Sequence, residues 1–222
     1  MKIKLIAITE PFCLSDKNEK LTPEQFIVYI ARVSNPNNQL NTETGSKLIR
    51  YLIKHNHWSP LEHVSCTFEI RTSRAIAAQI LRHRSFTFQE FSQRYSTVTG
   101  LEPTELRMQG KTNRQVGDEP LKIADNVELF EKIDKLQDST LDLYNELIEK
   151  GVARESARMI LPLNTATTMY MTGTLRSWIH YLELRCTEHT QKEHRDIALN
   201  IKKDLAGYFP EVFKALEEIN AR

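Results

Sequence analysis

A strand pattern and a helix pattern follow each other directly in residues 63–95, which read HVSCTFEIRTSRAIAAQILRHRSFTFQEFSQRY. Apolar and polar side chains alternate at its start, and the apolar ones are Val64, Cys66, Phe68 and Ile70. This period of two predicts a half-buried strand. Ser73 then predicts the N-cap of a helix that is closed by residues 82–84 and has an apolar stripe of Ile76, Ala77, Ile80 and Leu81. A strand and a helix that each bury one face predict a core shared by a sheet and helices.

Helices dominate the rest of the chain. Residues 2–8 predict a short strand, and Thr22 with Gln25 predicts a capping box before a helix that starts with Pro23. The pattern is helical from about residue 122 onward, and the predicted helices are 23–34, 46–55, 126–150 ending at Gly151, 153–161, two within 174–207, and a short one after Pro210. We therefore predict an α+β fold, a helix-rich single domain over residues 1–222 with a small antiparallel sheet.

Residues 96–120 interrupt this pattern. They are polar, contain Gly and Pro, and show no periodicity. A long excursion of this kind in a compact domain is often functional, but a disordered insertion fits the same composition. Both interpretations stay open.

Composition excludes several classes of protein. The formal net charge is only +1, so the chain lacks the overall positive field of a protein that holds nucleic acid mainly by charge. No stretch has the roughly 18 apolar residues that a membrane span needs, and the N-terminal apolar run is too short for a signal peptide. We expect a cytoplasmic protein with neither nucleic acid nor a membrane as its partner.

Cysteine and glycine usage narrow the chemistry further. Cys13, Cys66 and Cys186 are odd in number and far apart, which argues against a disulfide framework and predicts reduced, structural cysteines. The chain has seven glycines and neither a GxGxxG nor a GxxxxGK[ST] motif. Any phosphate must therefore be bound by side chains.

Cationic side chains are concentrated in residues 82–94, which contain Arg82, His83, Arg84 and Arg94 but one carboxylate, Glu90. Four aromatic residues alternate with this polar set: Phe86, Phe88, Phe91 and Tyr95. A planar heterocycle that carries phosphate requires such a mixture. A solvated basic helix end, favoured by the helix dipole, is the alternative.

Arg84 distinguishes two arrangements of this segment. Counting about 100° per residue places Gln79, Arg82 and His83 opposite the apolar stripe, whereas Arg84 would point into the stripe if the helix continued. Either the helix stops there, or Arg84 is buried with a partner such as a bound anion, because an unpaired buried guanidinium is costly.

The segment Arg82-His83-Arg84, followed after seven residues by Ser92, resembles the RHR(x7)S signature of the flavin-dependent thymidylate synthases. Three other segments resemble motifs of that family in the same order, namely HNHWSPLEH at 55–63, GVARESARMILPLN at 151–164 and RSWIHYLELRCTEHTQ at 176–191. The resemblance covers about 150 residues. It implies that FAD is the cofactor, that NADPH and 5,10-methylenetetrahydrofolate are co-substrates, and that dUMP becomes dTMP in a homotetramer whose sites lie between subunits.

The resemblance also implies roles for individual residues. Arg185 would be the catalytic residue, because the family polarises the uracil ring with the matching arginine; a stem packed on the core with a solvated head is the alternative for this side chain. The implied FAD contacts are Ser59, Arg82, His83, Arg84, Glu90, Thr174, Arg176 and His180. The implied dUMP contacts are Gln79, Arg82, Glu90, Phe91, Ser92, Gln93, Arg94, Arg158 and Arg185. No metal site is implied.

Some positions depart from the family pattern or have two interpretations. Gln89, Thr174 and His180 stand where the family often has Asn, which puts those cofactor contacts in doubt. His57 lies in the upstream motif and is either close to the flavin or uracil, or a capping or core histidine. We interpret Ser92 as a ligand, because no base at an interpretable spacing would activate it.

Two other classes of protein compete with a flavoenzyme. A zinc hydrolase would use Cys186, His189 and His194, or His55, His57 and His63, although neither set has a familiar spacing. A nucleic-acid-binding module would use the arginines and aromatic residues of 82–95. Zinc in the purified protein would indicate the first class, oligonucleotide binding with a steep salt dependence the second, and a yellow colour a flavoprotein.

Overall fold

An antiparallel sheet of four strands organises the computed structural model, which describes residues 1–220. Along the chain the strands are β1 (Lys2–Ile8), β2 (Ser65–Ser73), β3 (Thr87–Glu90), β4 (Arg107–Gln109), β5 (Gly117–Pro120) and β6 (Ala166–Thr174). The order in the large sheet is β1-β2-β6-β3, while β4 and β5 form a separate hairpin. The helices are α1 (Pro23–Ala31), α2 (Gly45–Lys54), α3 (Arg74–Ile80), α4 (Val127–Glu149), α5 (Arg154–Ala157), α6 (Leu175–Arg185), α7 (Lys192–Tyr208) and α8 (Pro210–Asn220). The predicted α+β class with a small antiparallel sheet is confirmed.

The alternation in β2 has the predicted consequence. The four apolar residues of the pattern, from Val64 just before the strand to Ile70 within it, are at most 1% exposed. Each strand of the sheet's central pair, β2 and β6, therefore buries one face against helices, because successive side chains of a strand point to opposite sides. The Ser73 Oγ accepts the backbone N–H of Ile76 and caps α3 as predicted.

The end of α3 corrects the sequence prediction. The helix ends at Ile80 with Leu81 as its C-cap, so residues 82–84 follow the helix instead of closing it. Leu81 is 39% exposed and does not belong to the buried stripe, and Arg84 is also exposed. Pairing of β3 with β6 is the physical reason, because the chain must turn within six residues to reach it.

The prediction that the pattern is helical from residue 122 onward is wrong at residues 166–174. These residues form β6, which pairs with β2 along nine residues and with β3 on its other side. Thr167, Met169, Met171 and Gly173 are its buried face. Their alternation with exposed or partly exposed neighbours, and the run of threonines, were a period-two signal that the flanking helical patterns obscured. Strand β3 was also missed.

The excursion at 96–120 contains structure that its composition did not indicate. Val98 is buried and its N–H donates to the hydroxyl of Tyr144, which is also buried. Strands β4 and β5 pair through Arg107 and Pro120. The lack of periodicity in the sequence is explained by the shortness of these strands, three and four residues long.

Helix boundaries follow local signals where such signals exist. The capping box at Thr22 is formed, because Thr22 Oγ1 accepts the N–H of Gln25 and the Gln25 side chain accepts that of Thr22. Helix α1 ends at Ala31, three residues before the predicted end. Helix α4 ends beside Gly151, whose φ of +81° lies in the left-handed region that favours glycine. None of the helices within residues 1–220 combines the length and apolarity required to cross a membrane.

Helix α6 packs on the sheet through Trp178. The indole ring is fully buried, its centroid lies 5.1 Å from that of Phe68 and 4.7 Å from that of Phe86, and its N–H donates to the Cys66 carbonyl. Phe86 in turn lies against Gly173, where an added Cβ would approach the ring to 2.4 Å. The turn from Arg82 to Phe86 is therefore held between α6 and the end of β6.

Gly173→Ala is expected to lower the free energy of unfolding by about 1–3 kcal/mol, the usual cost of overpacking. The added methyl group would displace the Phe86 ring, which is rigid and packed on Trp178. Urea unfolding measures the effect. Gly207→Ala is the matched control, because a Cβ there meets nothing within 4 Å, and we expect it to be neutral or slightly stabilising. Equal stability of the two variants would contradict the predicted clash.

Candidate active site

The ends of α3 and α6 bring Arg185 and His83 into contact. Arg185 is partly buried, and its Nε–H donates to His83 Nε2 over 2.9 Å. The imidazole must therefore be neutral with its proton on Nδ1. Burial, and next the electrostatic effect of the nearby Arg185 and His180, lower the pKa of His83 to about 4. At neutral pH the site thus contains one permanent cation beside an uncharged imidazole.

Gln79 joins this contact to the first turn of α7. Its Nε2 donates to Gln191 Oε1 over 2.7 Å, and its Oε1 lies 3.4 Å from His194 Nδ1. His194 is fully buried, and its Nε2 lies 3.1 Å from the hydroxyl of Tyr181. Since Gln79 Oε1 can only accept, the Nδ1 of His194 donates and the Tyr181 hydroxyl donates to Nε2. We call these six residues, Gln79, Tyr181, His83, Arg185, Gln191 and His194, the imidazole cluster.

Acid is expected to destabilise the fold through His194. Burial, followed by the nearby Arg185 and His83, lowers its pKa to about 3, whereas an unfolded histidine titrates near about 6.5. Between these values the unfolded chain binds one more proton, so stability is full above pH ~6.5 and is lost as the pH falls toward 3. The free energy of unfolding is measured with urea at several pH values from 7.5 to 5. Its slope against pH should be smaller for His194→Gln than for the parent protein, by up to about 1.4 kcal/mol per pH unit.

His189→Gln is the control for this measurement, because His189 is exposed. Its slope should match that of the parent protein. Identical slopes for the parent and His194→Gln would contradict the prediction.

A cleft of about 550 Å³ lies along α6 and is lined in part by Ser85, two residues after His83; we call it the α6 cleft. Its lining includes Asn56, Trp58, Glu62, Ser85, Arg176, Ser177, Ile179, His180 and Glu183. Asn56 has a φ of +56°, a conformation that asparagine tolerates better than most residues. Arg176 and His180, two predicted FAD contacts, thus face a common cavity.

The other predicted FAD contacts on this side are placed differently. Ser59 is exposed at the start of a short 3₁₀ helix. The Thr174 hydroxyl accepts the N–H of Ser177 and caps α6, so one of its two acceptor lone pairs is used by the helix. Arg176 forms an ion pair with Glu62, in which both side chains are about half exposed. Arg82 and Arg84 are exposed in the turn after α3.

The predicted dUMP residues after β3 form a third group, which we call the β3 turn: Glu90, Phe91, Ser92, Gln93 and Arg94. Glu90 Oε1 lies 2.6 Å from Arg74 and accepts the hydroxyl of Thr167. Arg94 approaches Glu155 to 3.6 Å at the surface, next to α5. The predicted phosphate partner Arg158 follows α5 directly. Two of the buried groups without a protein partner among residues 1–220, Gln93 Nε2 and Arg158 Nε, belong to this region.

The structure therefore distributes the predicted residues over three places. Gln79, His83 and Arg185 are in direct or bridged contact, Arg176 and His180 line the α6 cleft, and the β3 turn stands apart with Arg158. Sequence reasoning missed Gln191 and His194 as partners of Gln79, and Tyr181 as the partner of His194. It also missed Trp58, Glu62 and Ser85 in the cleft. Most of them lie inside the quoted motifs, but contacts across more than a hundred residues have no local signal.

The side chains proposed as zinc ligands do not assemble. His194 is buried beside Tyr181, whereas His189 is exposed. His55 and His57 stack near Tyr51 at the surface, with ring centroids 6.1 Å apart. Over residues 1–220, no three His, Cys, Asp or Glu side chains are grouped so as to hold a metal ion.

The fold is shared with a nucleotide methylase. The structure is similar to that of a UMP/dUMP methylase, PolB from Streptomyces cacaoi bound with 5-Br dUMP, with a TM-score of 0.80 and 26% identity over 98% of this chain and 94% of that one. Its complex with 5-Br UMP gives a TM-score of 0.78 at 27% identity, covering 98% and 93% of the two chains.

Sequence comparison identifies the family. The family model described as thymidylate synthase complementing protein matches residues 17–211. The chain is 48% identical to a probable flavin-dependent thymidylate synthase of Paramecium bursaria Chlorella virus 1, over 98% of this chain and 99% of that protein. It is 46% identical to the flavin-dependent thymidylate synthase of Synechocystis sp., over 98% and 100%. The chain belongs to this family, the flavin-dependent thymidylate synthases.

Proposed function

We propose that this enzyme converts dUMP to dTMP, with FAD as its cofactor, 5,10-methylenetetrahydrofolate as one-carbon donor and NADPH as reductant. The observation that carries the proposal is the contact between Arg185 and the neutral His83 beside the α6 cleft. A permanently charged guanidinium held by an uncharged imidazole is suited to stabilise negative charge on a ring. Membership of the flavin-dependent thymidylate synthase family indicates that this ring is the uracil of dUMP.

Arg185 would act on the uracil ring. The pyrimidine becomes nucleophilic at C5 as negative charge develops on it, and a nearby guanidinium lowers the energy of that state. The contact with His83 engages only the Nε–H, so the terminal nitrogens, which carry the other four N–H bonds, are not used by it. Partial burial strengthens the electrostatic effect.

Gln79 and the β3 turn with Arg158 would hold dUMP. The buried Nε2 of Gln93 and Nε of Arg158 support this role, because a buried donor without a partner costs about 1–3 kcal/mol unless a ligand or water satisfies it. Arg94 adds an exposed cation next to α5. Its ion pair with Glu155 is weak at such exposure, so a phosphate could replace the carboxylate.

The α6 cleft fits part of FAD. Arg176 and His180 can donate to phosphate or ring oxygens, and Trp58 offers a flat apolar surface. The volume of about 550 Å³ is within the range of pockets for drug-sized ligands, and FAD is larger than those, which supports a site completed by a neighbouring subunit. When bound, FAD supplies the hydride chemistry. Arg176 can exchange its exposed carboxylate partner Glu62 for the cofactor.

A homotetramer with shared sites is part of the proposal. Leu129, Leu136 and Leu143 are 44%, 68% and 47% exposed and recur every seven residues on α4. This spacing places the three leucines on one helix face, which is typical of a helix that packs against another helix. NADPH, methylenetetrahydrofolate and a cytoplasmic location rest on the family and on composition, and they stay predictions.

Anaerobic incubation of the purified, FAD-loaded protein with dUMP, NADPH and methylenetetrahydrofolate tests the function. We expect dTMP to form, to require every component, and to accompany a flavin absorption spectrum that NADPH bleaches. A parallel incubation with UMP shows whether a ribose 2′-hydroxyl is accepted, as the similarity to a UMP/dUMP methylase makes this worth testing. A folded, FAD-loaded protein that makes no dTMP would refute the proposal.

A further inference from the structure

A partly buried ion pair joins the β4–β5 hairpin to the start of α7. Arg107 on β4 and Glu193 in the first turn of α7 approach to 2.6 Å, and their side chains are only 11% and 17% exposed. Glu105 adds contacts to Arg107 at 3.3 Å and to Lys192 at 3.4 Å. Burial alone would raise the pKa of Glu193, but hydrogen bonding and attraction from Arg107 outweigh it, and the pKa is lowered. The pair is therefore ionised at neutral pH.

The helical turn that carries Glu193 also carries two partners of Gln79. Gln191 is the N-cap residue of α7 and accepts from Gln79 Nε2 over 2.7 Å, while His194 lies 3.4 Å from Gln79 Oε1. Gln191 lies only two residues before Glu193 in that turn. The ion pair of Arg107 with Glu193 and the hydrogen bond of Gln191 with Gln79 therefore hold the same helical turn.

We propose that Arg107 and Glu193 are a positioning pair for dUMP binding, which acts by holding Gln191 so that it orients the Gln79 amide. The proposal rests on the proposed function, since it assigns Gln79 to dUMP. It gives the excursion at 96–120 a role in the site without any contact to the substrate.

The physical basis is the rigidity of a partly buried charged pair. Gln79 lies in the last turn of the short helix α3, and its amide could rotate freely if Gln191 moved. Removal of Arg107 would leave the Glu193 carboxylate buried without its main partner, so the first turn of α7 would shift to reach water. The amide would then lose its fixed donor and acceptor directions, and dUMP would bind less tightly.

Steady-state kinetics of Arg107→Met test the pair. We expect the KM for dUMP to rise about tenfold, as for the loss of one well-oriented hydrogen bond, while FAD content stays at the parental level. Arg107→Lys keeps the charge but loses the planar fork, so its KM should lie between those of the parent and Arg107→Met. If Arg107→Met fails to fold, Glu193→Gln, which keeps the shape of the side chain, is measured in its place with the same expected rise.

A double-mutant cycle separates positioning from a general structural role. If the pair acts through Gln191, the KM of Arg107→Met/Gln191→Met should equal that of Gln191→Met alone. The inference would be overturned if the two substitutions multiplied their separate effects on the KM for dUMP. It would also be overturned if Arg107→Met lost thermal stability while its KM stayed unchanged. Arg50→Met is the control, because it breaks the exposed ion pair of Arg50 with Glu218 and should leave KM unchanged.

Failure of this inference and failure of the proposed function give different results. A parent protein that makes no dTMP would reject the proposed function. A parent protein that makes dTMP, with a parental KM in Arg107→Met, would reject only the positioning pair.

Discussion

Arg185→Ala is expected to lower the turnover number for dTMP formation by about 10²- to 10³-fold, the usual loss when one electrostatic stabiliser of a transition state is removed. The reason is that Arg185 carries the permanent charge beside His83, on the helix whose earlier residues line the α6 cleft. FAD content should fall much less than turnover. Rapid chemical quench under anaerobic conditions and the flavin absorption of the same preparation provide the two measurements.

Two further variants calibrate this result. Arg176→Ala should show the reverse pattern, with flavin content reduced more than the turnover of the loaded fraction, because Arg176 lines the cleft proposed for FAD. Arg71→Ala removes an arginine that is paired with Glu69 at the surface and should change neither quantity. Parallel losses of flavin and turnover in Arg185→Ala would indicate a structural role and contradict the catalytic assignment.

Trp178→Ala is expected to cost about 3–5 kcal/mol of the free energy of unfolding, as for other buried aromatic residues. The indole fills the space between β2, α6 and the turn after α3, where it touches Phe68 and Phe86. Its N–H also donates to the Cys66 carbonyl, which would lose that partner. Equilibrium urea unfolding monitored by circular dichroism measures the loss.

Phe12→Ala and Trp178→Phe set the scale for this experiment. Phe12 is 95% exposed, so its removal should change stability by no more than about 0.5 kcal/mol. Trp178→Phe keeps an aromatic ring but loses the N–H, and its cost should lie between the other two. A Trp178→Ala protein as stable as the Phe12→Ala protein would mean that the α6 contact with the sheet is not a main source of stability.

Prediction from sequence succeeded where the determining interactions are local. The capping box at Thr22, the N-cap at Ser73 and the end of α4 near Gly151 all depend on residues within one helical turn. The buried face of β2 also followed from its alternation alone. For the same reason, the four motifs were recognisable without the structure.

Prediction failed where pairing with a distant segment decides the conformation. The helix before residues 82–84 is shorter than its own pattern indicates, because β3 must reach β6. Strand β6 itself lies between stretches with helical periodicity, and it is stable because β2 and β3 satisfy both of its edges. The paired strands of the excursion are too short to produce a periodic signal.

The amino-acid sequence by itself determined the α+β class, the buried faces of the elements with clear periodicity, the family, and a set of candidate arginines. It assigned residues 82–84 to a helix and left Arg84 either buried or at a helix end. Only the tertiary structure showed that α3 ends at Ile80, that Arg84 is exposed, and that Gln79, His83 and Arg185 meet at the start of α7. The physical reason is that their contacts join residues more than a hundred positions apart, and such contacts form only when the sheet and helices pack together.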